Sequence, residues 1–244
     1  MSGHSHFSTI KHKKAITDTK RGNLFSKLTK AISVAAREKG GDPDVNSKLR
    51  LAIEQAKEAN MPSDNIERAI KKGTGELEAE KLEEVLFEAY GPSGIAIIIE
   101  GITDNKNRTL GEIKQILAQH NSKLASEGSV KWLFKRMGCI TLDYNSQTEE
   151  LKDKEKLQLT VIEAGAEDIY WHNEILDVYT KPEDLEKIKK TLEEKEVKIR
   201  SASLDWVAQE EITLSDDKRT ACQKLFEDLD ESDAVQEIYA NLKV

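Results

Sequence analysis

Five consecutive apolar residues, Ile95-Ala96-Ile97-Ile98-Ile99, stand in a chain in which 34% of residues are charged. The run is far too short to span a membrane. Four β-branched residues in five predict a strand buried on both sides at the centre of a sheet. The rest of the chain has to supply that sheet with neighbouring strands and helical cover. At 244 residues it is also too long for one small core, and two or three domains are expected.

Upstream of the run the apolar spacing is helical. Leu24, Leu28, Ile32 and Ala35 predict a helix over 23–39, stopped by Gly40-Gly41. Asp42-Pro43-Asp44 is a turn. Asn46 caps a second helix that runs to about Ala59, with Leu49, Ile53 and Ala56 on one face. Pro62 opens a third helix, in which Asp64 and Glu67 form a capping-box-like pair, Ile66 and Ile70 point inward and Gly73 is the end. Three short helices joined by tight turns predict a small bundle. Its outer face is expected to carry Lys27, Lys30, Arg37, Lys57, Arg68, Lys71 and Lys72.

From Thr74 to Lys81 the chain is polar, a plausible boundary. Strands are then expected at 85–90, 95–100 and 130–134, with an amphipathic helix at 105–119. A second series follows: strand 139–144, helix 148–164, a hairpin of 168–172 and 176–180 around Asn173, helix 182–194 and strand 198–204. That order, βαββαβ, is the split βαβ of ferredoxin-like folds. The tail reads strand 208–214, helix 215–229 and strand 234–239. The expected fold class is therefore α+β: an N-terminal three-helix domain (1–78) followed by two ferredoxin-like α/β domains. One of these, 135–204, is inserted into the other, 79–134 plus 205–244, because chain ends that lie close together make insertion structurally cheap.

Charge is segregated along the chain. Residues 1–75 hold 15 Lys/Arg and 8 Asp/Glu, whereas residues 76–244 hold 22 and 37. A basic head on an acidic body points to a polyanion met by one end only. Lys11, Lys13, Lys14, Lys20, Arg21, Lys27 and Lys30 face a single acid, Asp18, within the first 30 residues. Such an arm neutralises phosphates and releases counterions without reading sequence. His12 belongs with it as a polar neighbour of phosphate. Arg68, Lys71 and Lys72 extend the basic surface along the third helix. Arg108, in the first turn of its helix, opposes the helix dipole, so it is expected to bind an anion or to pair with a neighbouring carboxylate.

Signatures of catalysis are missing: there is no GxxxxGK[ST], HExxH or GxSxG. Cys139 and Cys222, far apart, exclude a disulfide framework and a cysteine zinc site. Trp132, Trp171 and Trp206 lie on or next to predicted strands, and with no RNP-like sequence beside them their expected role is core packing. No cofactor, metal or catalytic residue is expected, and the protein should be a cytoplasmic monomer without membrane contact.

Several stretches together resemble the YebC/PmpR family, bacterial relatives of a mitochondrial translational activator. They are Gly3-His4-Ser5, Ile10-Lys11-His12-Lys13-Lys14, Lys20-Arg21-Gly22, Gly41-Asp42-Pro43-Asp44, Asn60-Met61-Pro62, DNIERAIKKGTG from Asp64 to Gly75, Tyr90-Gly91-Pro92, Asp104-Asn105, Asn107-Arg108-Thr109 and Gly128-Ser129-Val130. The closing Asp230 to Asn241 also fits. The resemblance covers the full length and is most specific in the first 75 residues. It implies three domains, one helical and two α/β, around a large cleft, and a transcriptional regulator that binds DNA. Other members of the family act in translation, including relief of ribosome stalling at proline runs. His6-Phe7, Ser93, Lys123 and Ala125 depart from the family pattern.

The leading expectation is a nucleic-acid-binding regulator of transcription that meets DNA through Lys11, His12, Lys13, Lys14, Lys20, Arg21, Lys27, Lys30, Arg68, Lys71, Lys72 and Arg108. The alternatives are a ribosome- or RNA-associated translation factor and a protein-interaction adaptor working through the acidic body. No recognition helix stands out, and nothing requires a dimer to match operator half-sites.

Overall fold

The computed structural model describes residues 5–6 and 18–243. Among them are seven α-helices and two antiparallel sheets, an α+β fold with the N-terminal helices ahead of the sheets. The chain divides into two compact units, His6–Lys131 with Leu214–Ala240, and Trp132–Thr213 with the chain from Asn241 onward.

The first unit begins with a two-residue strand, β1 (Ser5–His6), and three helices, α1 (Asp18–Lys39), α2 (Ser47–Glu58) and α3 (Ser63–Thr74). Leu28, Ile32, Ala35, Leu49, Ile53, Ala56, Met61, Ile66 and Ala69 make their shared core. One side chain sets the α1–α2 turn: the fully buried Asn46 donates to the carbonyls of Ala35 and Gly40, both at 2.8 Å, and accepts from Leu49 N–H at 3.1 Å. Gly73 lets α3 lie directly on α1, since a Cβ there would fall 2.3 Å from the Ser33 carbonyl. Two expectations are corrected here. α1 starts at Asp18, not Asn23, because packing of Leu24, Phe25 and Leu28 outweighs the roughly 1 kcal/mol that Gly22 costs a helix. The Asp64–Glu67 capping box does not form: α3 follows Pro62 directly, with no side-chain cap.

The sheet of this unit starts as a hairpin, β2 (Glu83–Tyr90) against β3 (Ala96–Thr103), in full antiparallel register. The helix α4 (Lys106–Gln119) and a short β4 (Lys123–Leu124) follow, and after the second unit come α7 (Asp216–Glu231) and β9 (Val235–Ala240). The strand order is β1-β9-β3-β2-β4. Ile97, Ile98 and Ile99 on β3 are fully buried, as the apolar run requires, and β9 pairs with β3 from Ile97↔Ala240 to Gly101↔Val235.

α1 also packs on this sheet unit through its polar side. Lys27 Nζ donates to Asp230 Oδ1 at 2.9 Å and to the Asp230 carbonyl at 2.6 Å. Asn23 Nδ2 donates to the Glu231 carbonyl at 3.0 Å, and Lys30 Nζ to Asp233 through both carbonyl and carboxylate. These carbonyls lie at and just beyond the C-terminus of α7, where the helix leaves them without internal donors. Cations there also meet the negative end of the helix dipole.

The second unit carries β5 (Phe134–Asp143), α5 (Lys154–Glu163), β6 (Asp168–His172), β7 (Ile175–Thr180), α6 (Leu185–Glu194) and β8 (Ile199–Ala208). Its order β6-β7-β5-β8 is that of a split βαβ. α6 covers the β5 face of Gly138, Ile140 and Leu142, where a Cβ on Gly138 would meet Leu185. Met137, Cys139, Tyr179 and Val207 cluster on the opposite face. Three sequence expectations change. Residues 148–164 are not one helix: Asp153 accepts from Glu155 N–H and starts α5 at Lys154. Residues 208–214 make only a bridge, Ile212↔Leu242. Residues 130–134 are no strand of the first sheet: a 3-10 turn, Lys131–Leu133, leads into β5.

Glu88 explains that last difference. It is 3% exposed on β2, and its carboxylate accepts from the N–H groups of Gly128 (2.6 Å), Val130 (2.6 Å) and Lys131 (2.8 Å). These donors are spent on a side chain and are lost to any strand ladder. Burial raises the Glu88 pKa, but the three N–H groups and Lys131 outweigh it and hold it below the ordinary 4.5. Glu211 is the opposite case. Neither of its oxygens finds a hydrogen-bond partner among the described residues, and burial pushes it up to about 7 against the pull of Lys243.

The two glutamates therefore have opposite effects on stability. Glu88, depressed, contributes stability that is present above its unfolded pKa and lost as pH falls through the folded value. Glu211, raised, contributes stability that is present at low pH and lost as pH rises through about 7. Denaturant unfolding should show Glu88→Gln weakened at neutral pH by about 1–3 kcal/mol, since one amide oxygen replaces two acceptors, with the deficit shrinking in acid. Glu211→Gln should match the wild type in acid and exceed it above neutrality. Parallel pH profiles for the wild type and both variants would refute this assignment.

Candidate nucleic-acid interface

The helical head sorts its cations into two groups. Lys27 is 5% exposed and Lys30 is anchored to Asp233, so neither stands on an outer face, contrary to the sequence expectation. Lys48 bridges Glu38 and Glu84; burial works against its charge, and the two carboxylates outweigh it to raise its pKa. Arg50 Nη1 donates to the Pro43 carbonyl. Arg37, Lys39, Lys57, Arg68, Lys71 and Lys72 are exposed, and among the described residues their side chains have no hydrogen bond, ion pair or ring contact.

Local packing dictates which residues stay outside. On α3, Ile66, Ala69 and Ile70 face the head core, which leaves Arg68, Lys71 and Lys72 at i, i+3 and i+4 on the other side. Lys71 and Lys72 lie in the last turn, where the helix dipole favours cations. Arg37 sits seven residues after Lys30, on the same side of α1. The close α1–α3 contact at Gly73 brings Arg37 and Lys72 to one groove of about 540 Å³, with Lys30, Ser26, Thr29 and Ser33 also in its wall. Glu78 and Glu80 of the connecting segment complete it. A smaller groove of about 280 Å³ holds Arg68 and Lys71 together with Asp64, Glu67 and Leu77. Cations and hydroxyls are the groups that neutralise and hydrogen-bond phosphate, and here they share the walls with carboxylates.

Lys11, His12, Lys13 and Lys14 lie outside the described residues. Lys20 and Arg21 fall within α1, not before it, and Arg21 is exposed. Arg108 pairs with Asp104 one turn back, and its backbone N–H is taken by the cap residue Asn105 at 3.1 Å. Trp171 meets Tyr144 edge-on at 5.9 Å, and Arg136 lies 5.2 Å from the Trp206 ring. Trp132 is 67% exposed, so core packing does not account for it. Sequence reasoning left Arg37 and the wall hydroxyls out of the site; the spacing of seven from Lys30 was the available signal. As for chemistry, both cysteines are buried, and burial, with Asp177 and Asp205, pushes the Cys139 thiol well up. No group of three or more His, Cys, Asp or Glu able to hold a metal occurs among the described residues. No helix described is long and apolar enough to cross a membrane.

Fold and site thus define an α+β protein whose helical head presents cations unpaired among the described residues. The chain belongs to the TACO1/YebC family: residues 5–76 match the family's N-terminal domain and residues 82–242 its second and third domains. A protein of Halothermothrix orenii, named "Probable transcriptional regulatory protein", is 49% identical over all of this chain and 96% of its own length. A relative of the same name in Natranaerobius thermophilus is 46% identical, covering all of this chain and 97% of that protein. The crystal structure of a conserved hypothetical protein from Aquifex aeolicus is similar with a TM-score of 0.85 at 44% identity, covering 96% of this chain and 94% of that one.

The sorting of lysines can be checked through stability. Lys27→Met leaves Asp230 and the α7 terminus without their cation and should cost about 3 kcal/mol. Lys72→Gln, at an exposed unpaired site, should stay within about 0.5 kcal/mol of the wild type. Urea unfolding midpoints would decide: equal midpoints for the two variants would return Lys27 to the set of surface cations.

Proposed function

We propose that the protein is a non-catalytic regulator that binds nucleic acid through its helical head and basic N-terminal arm, in the transcriptional role that the names of its relatives suggest. The observation that carries this reading is the set of six head cations without a partner among the described residues. Solubility alone gives no reason to keep them unpaired when the chain holds 45 Asp and Glu. Lys11, His12, Lys13, Lys14, Lys20 and Arg21 would extend the same contact. In this reading Lys27, Lys30 and Arg108 serve structure, because their charge is already taken. The head (1–78), the discontinuous domain (79–134 plus 205–244) and the inserted domain (135–204) then act as carrier and carried.

A second reading, an RNA- or ribosome-associated translation factor, is favoured by one feature. The unpaired cations are spread over α1, α2 and α3, whereas reading a major groove concentrates contacts on one helix. Sequencing the nucleic acid cross-linked to the protein in cells would separate promoters from ribosomal or messenger RNA.

Phosphate contact itself has a quantitative signature. Replacing Arg37, Arg68, Lys71 and Lys72 with Gln should flatten the dependence of log affinity on log salt by about 3–4 on duplex DNA and by somewhat less on single strands. Neutralising Lys11, Lys13, Lys14, Lys20 and Arg21 should flatten it by about 4.5 on duplex if all five touch phosphate. Binding titrations across a salt series measure both. An unchanged slope in both variants would reduce the head to a solvated surface and bring forward the adaptor role.

A further inference from the structure

The segment that joins the helical head to its sheet, Glu76-Leu77-Glu78-Ala79-Glu80-Lys81-Leu82, carries a glutamate at alternate positions 76, 78 and 80. A polar linker needs no fixed course, but this one is fastened at both ends. Gly75, in the left-handed conformation, ends α3 and turns the chain back. Leu77 N–H then donates to the Lys71 carbonyl at 3.2 Å, and Thr74 Oγ1 donates to Glu76 at 2.9 Å. At the far end Glu83 enters the β2–β3 ladder opposite Thr103, and Glu84 pairs with Lys48 at 2.7 Å. Between these fastenings the segment borders both basic grooves. Leu77 lines the one that holds Arg68 and Lys71, and Glu78 and Glu80 line the one that holds Arg37 and Lys72.

Charge balance in the larger groove decides what this placement does. Lys30 is spent on Asp233, which leaves Arg37 and Lys72 against Glu78 and Glu80, two cations and two carboxylates. None of the four has an ion pair among the described residues, so the charges share the groove without closing on each other. A groove of about 540 Å³ spans roughly one Debye length at physiological salt, so the charges still act on one another across it. Carboxylates tethered there also stand at a high effective concentration. Phosphate arriving at Arg37 or Lys72 therefore meets a field that the chain's own anions have already lowered. A linker that had only to be soluble could carry Ser or Gln at 78 and 80 and leave that field intact.

We propose that residues 76–82 form an autoinhibitory strap, in which Glu78 and Glu80 compete with nucleic-acid phosphate for Arg37 and Lys72. The proposal rests on phosphate binding by the head and adds to it a means of regulation. The strap sets a threshold. A free phosphate has only the groove to hold and gains little from a site of balanced charge. A strand already held at Arg68, Lys71 and the basic arm delivers its next phosphates to the groove at high local concentration and displaces the two carboxylates. Displacement costs little, because Glu78 and Glu80 are exposed and pass into water.

The test measures binding of a labelled DNA duplex and a labelled oligo(U) by fluorescence anisotropy at physiological salt. The proteins are the wild type, Glu78→Gln/Glu80→Gln, Arg37→Gln/Lys72→Gln and the variant that combines all four changes. Glu112→Gln/Glu127→Gln is the control, since it removes the same charge from exposed positions outside the groove. Glu78→Gln/Glu80→Gln should bind about fivefold more tightly than the wild type, the factor that two exposed charge pairs supply. That gain should shrink as salt rises. It should disappear in the combined variant, because the cations that the acids temper are gone, and such non-additivity marks a direct coupling. The control should stay near the wild type. A gain no larger than the control's, or one that persists in full without Arg37 and Lys72, would overturn the strap. Weaker binding by Arg37→Gln/Lys72→Gln would in that case still uphold the head reading. A wild type and a Glu78→Gln/Glu80→Gln variant that both bind neither polymer would overturn both.

Discussion

The C-terminus of α7 is the point on which the head depends. A helix end leaves carbonyls without donors and carries the negative pole of the dipole. Here the chain of Asp230, Glu231 and Asp233 adds carboxylates to the same place. Left alone it would be a concentrated negative site beside the sheet. α1 supplies the answer from the other end of the sequence: Lys27, nearly buried, gives Asp230 two hydrogen bonds, and Asn23 and Lys30 serve the neighbouring carbonyls. A buried pair of this kind returns little net energy over an apolar contact, but losing one partner is costly. It therefore fixes where α1 sits more than how stable the protein is.

That fixed position decides which charges remain. The segregation of basic head and acidic body looks in sequence like one surface repelling what the other attracts. In the structure part of it is consumed internally: Lys27, Lys30 and Lys48 are matched by Asp230, Asp233 and Glu84 from the body. The cations left over, Arg37, Lys39, Lys57, Arg68, Lys71 and Lys72, are exposed on α1, α2 and α3, and Arg37 continues the side of α1 on which Lys30 meets Asp233.

Much of this was legible in the residues. The run at Ile95–Ile99 marked the central strand because a short, β-branched apolar run behind a Gly-Pro turn suits a strand buried on both faces. Asn46 announced its helix because an Asn cap is a local device. What failed was non-local. The start of α1 was hidden by Gly22, whose cost is repaid by tertiary packing. The segment at Val130 looked like a strand, but its N–H groups belong to Glu88, 42 residues earlier. Lys27 and Lys71 are the same residue on similar helices, and only a partner 203 residues away separates them. Composition counts both as basic surface, and no periodicity distinguishes them.

The carboxylates show the same dependence on distant groups. Glu88 and Glu211 are both withdrawn from water, and each by itself would be costly as an anion. The fold gives Glu88 three backbone donors, converting a liability into a clasp on the turn before Trp132. It gives Glu211 none among the described residues. A glutamate or a lysine thus acquires its role here from what the rest of the chain brings to it. For Arg37 and Lys72 the chain brings a groove that Glu78 and Glu80 also line, but no ion pair among the described residues. That contact is unfinished by the standard the same fold meets at Lys27, and an unfinished contact is where a partner adds the missing half.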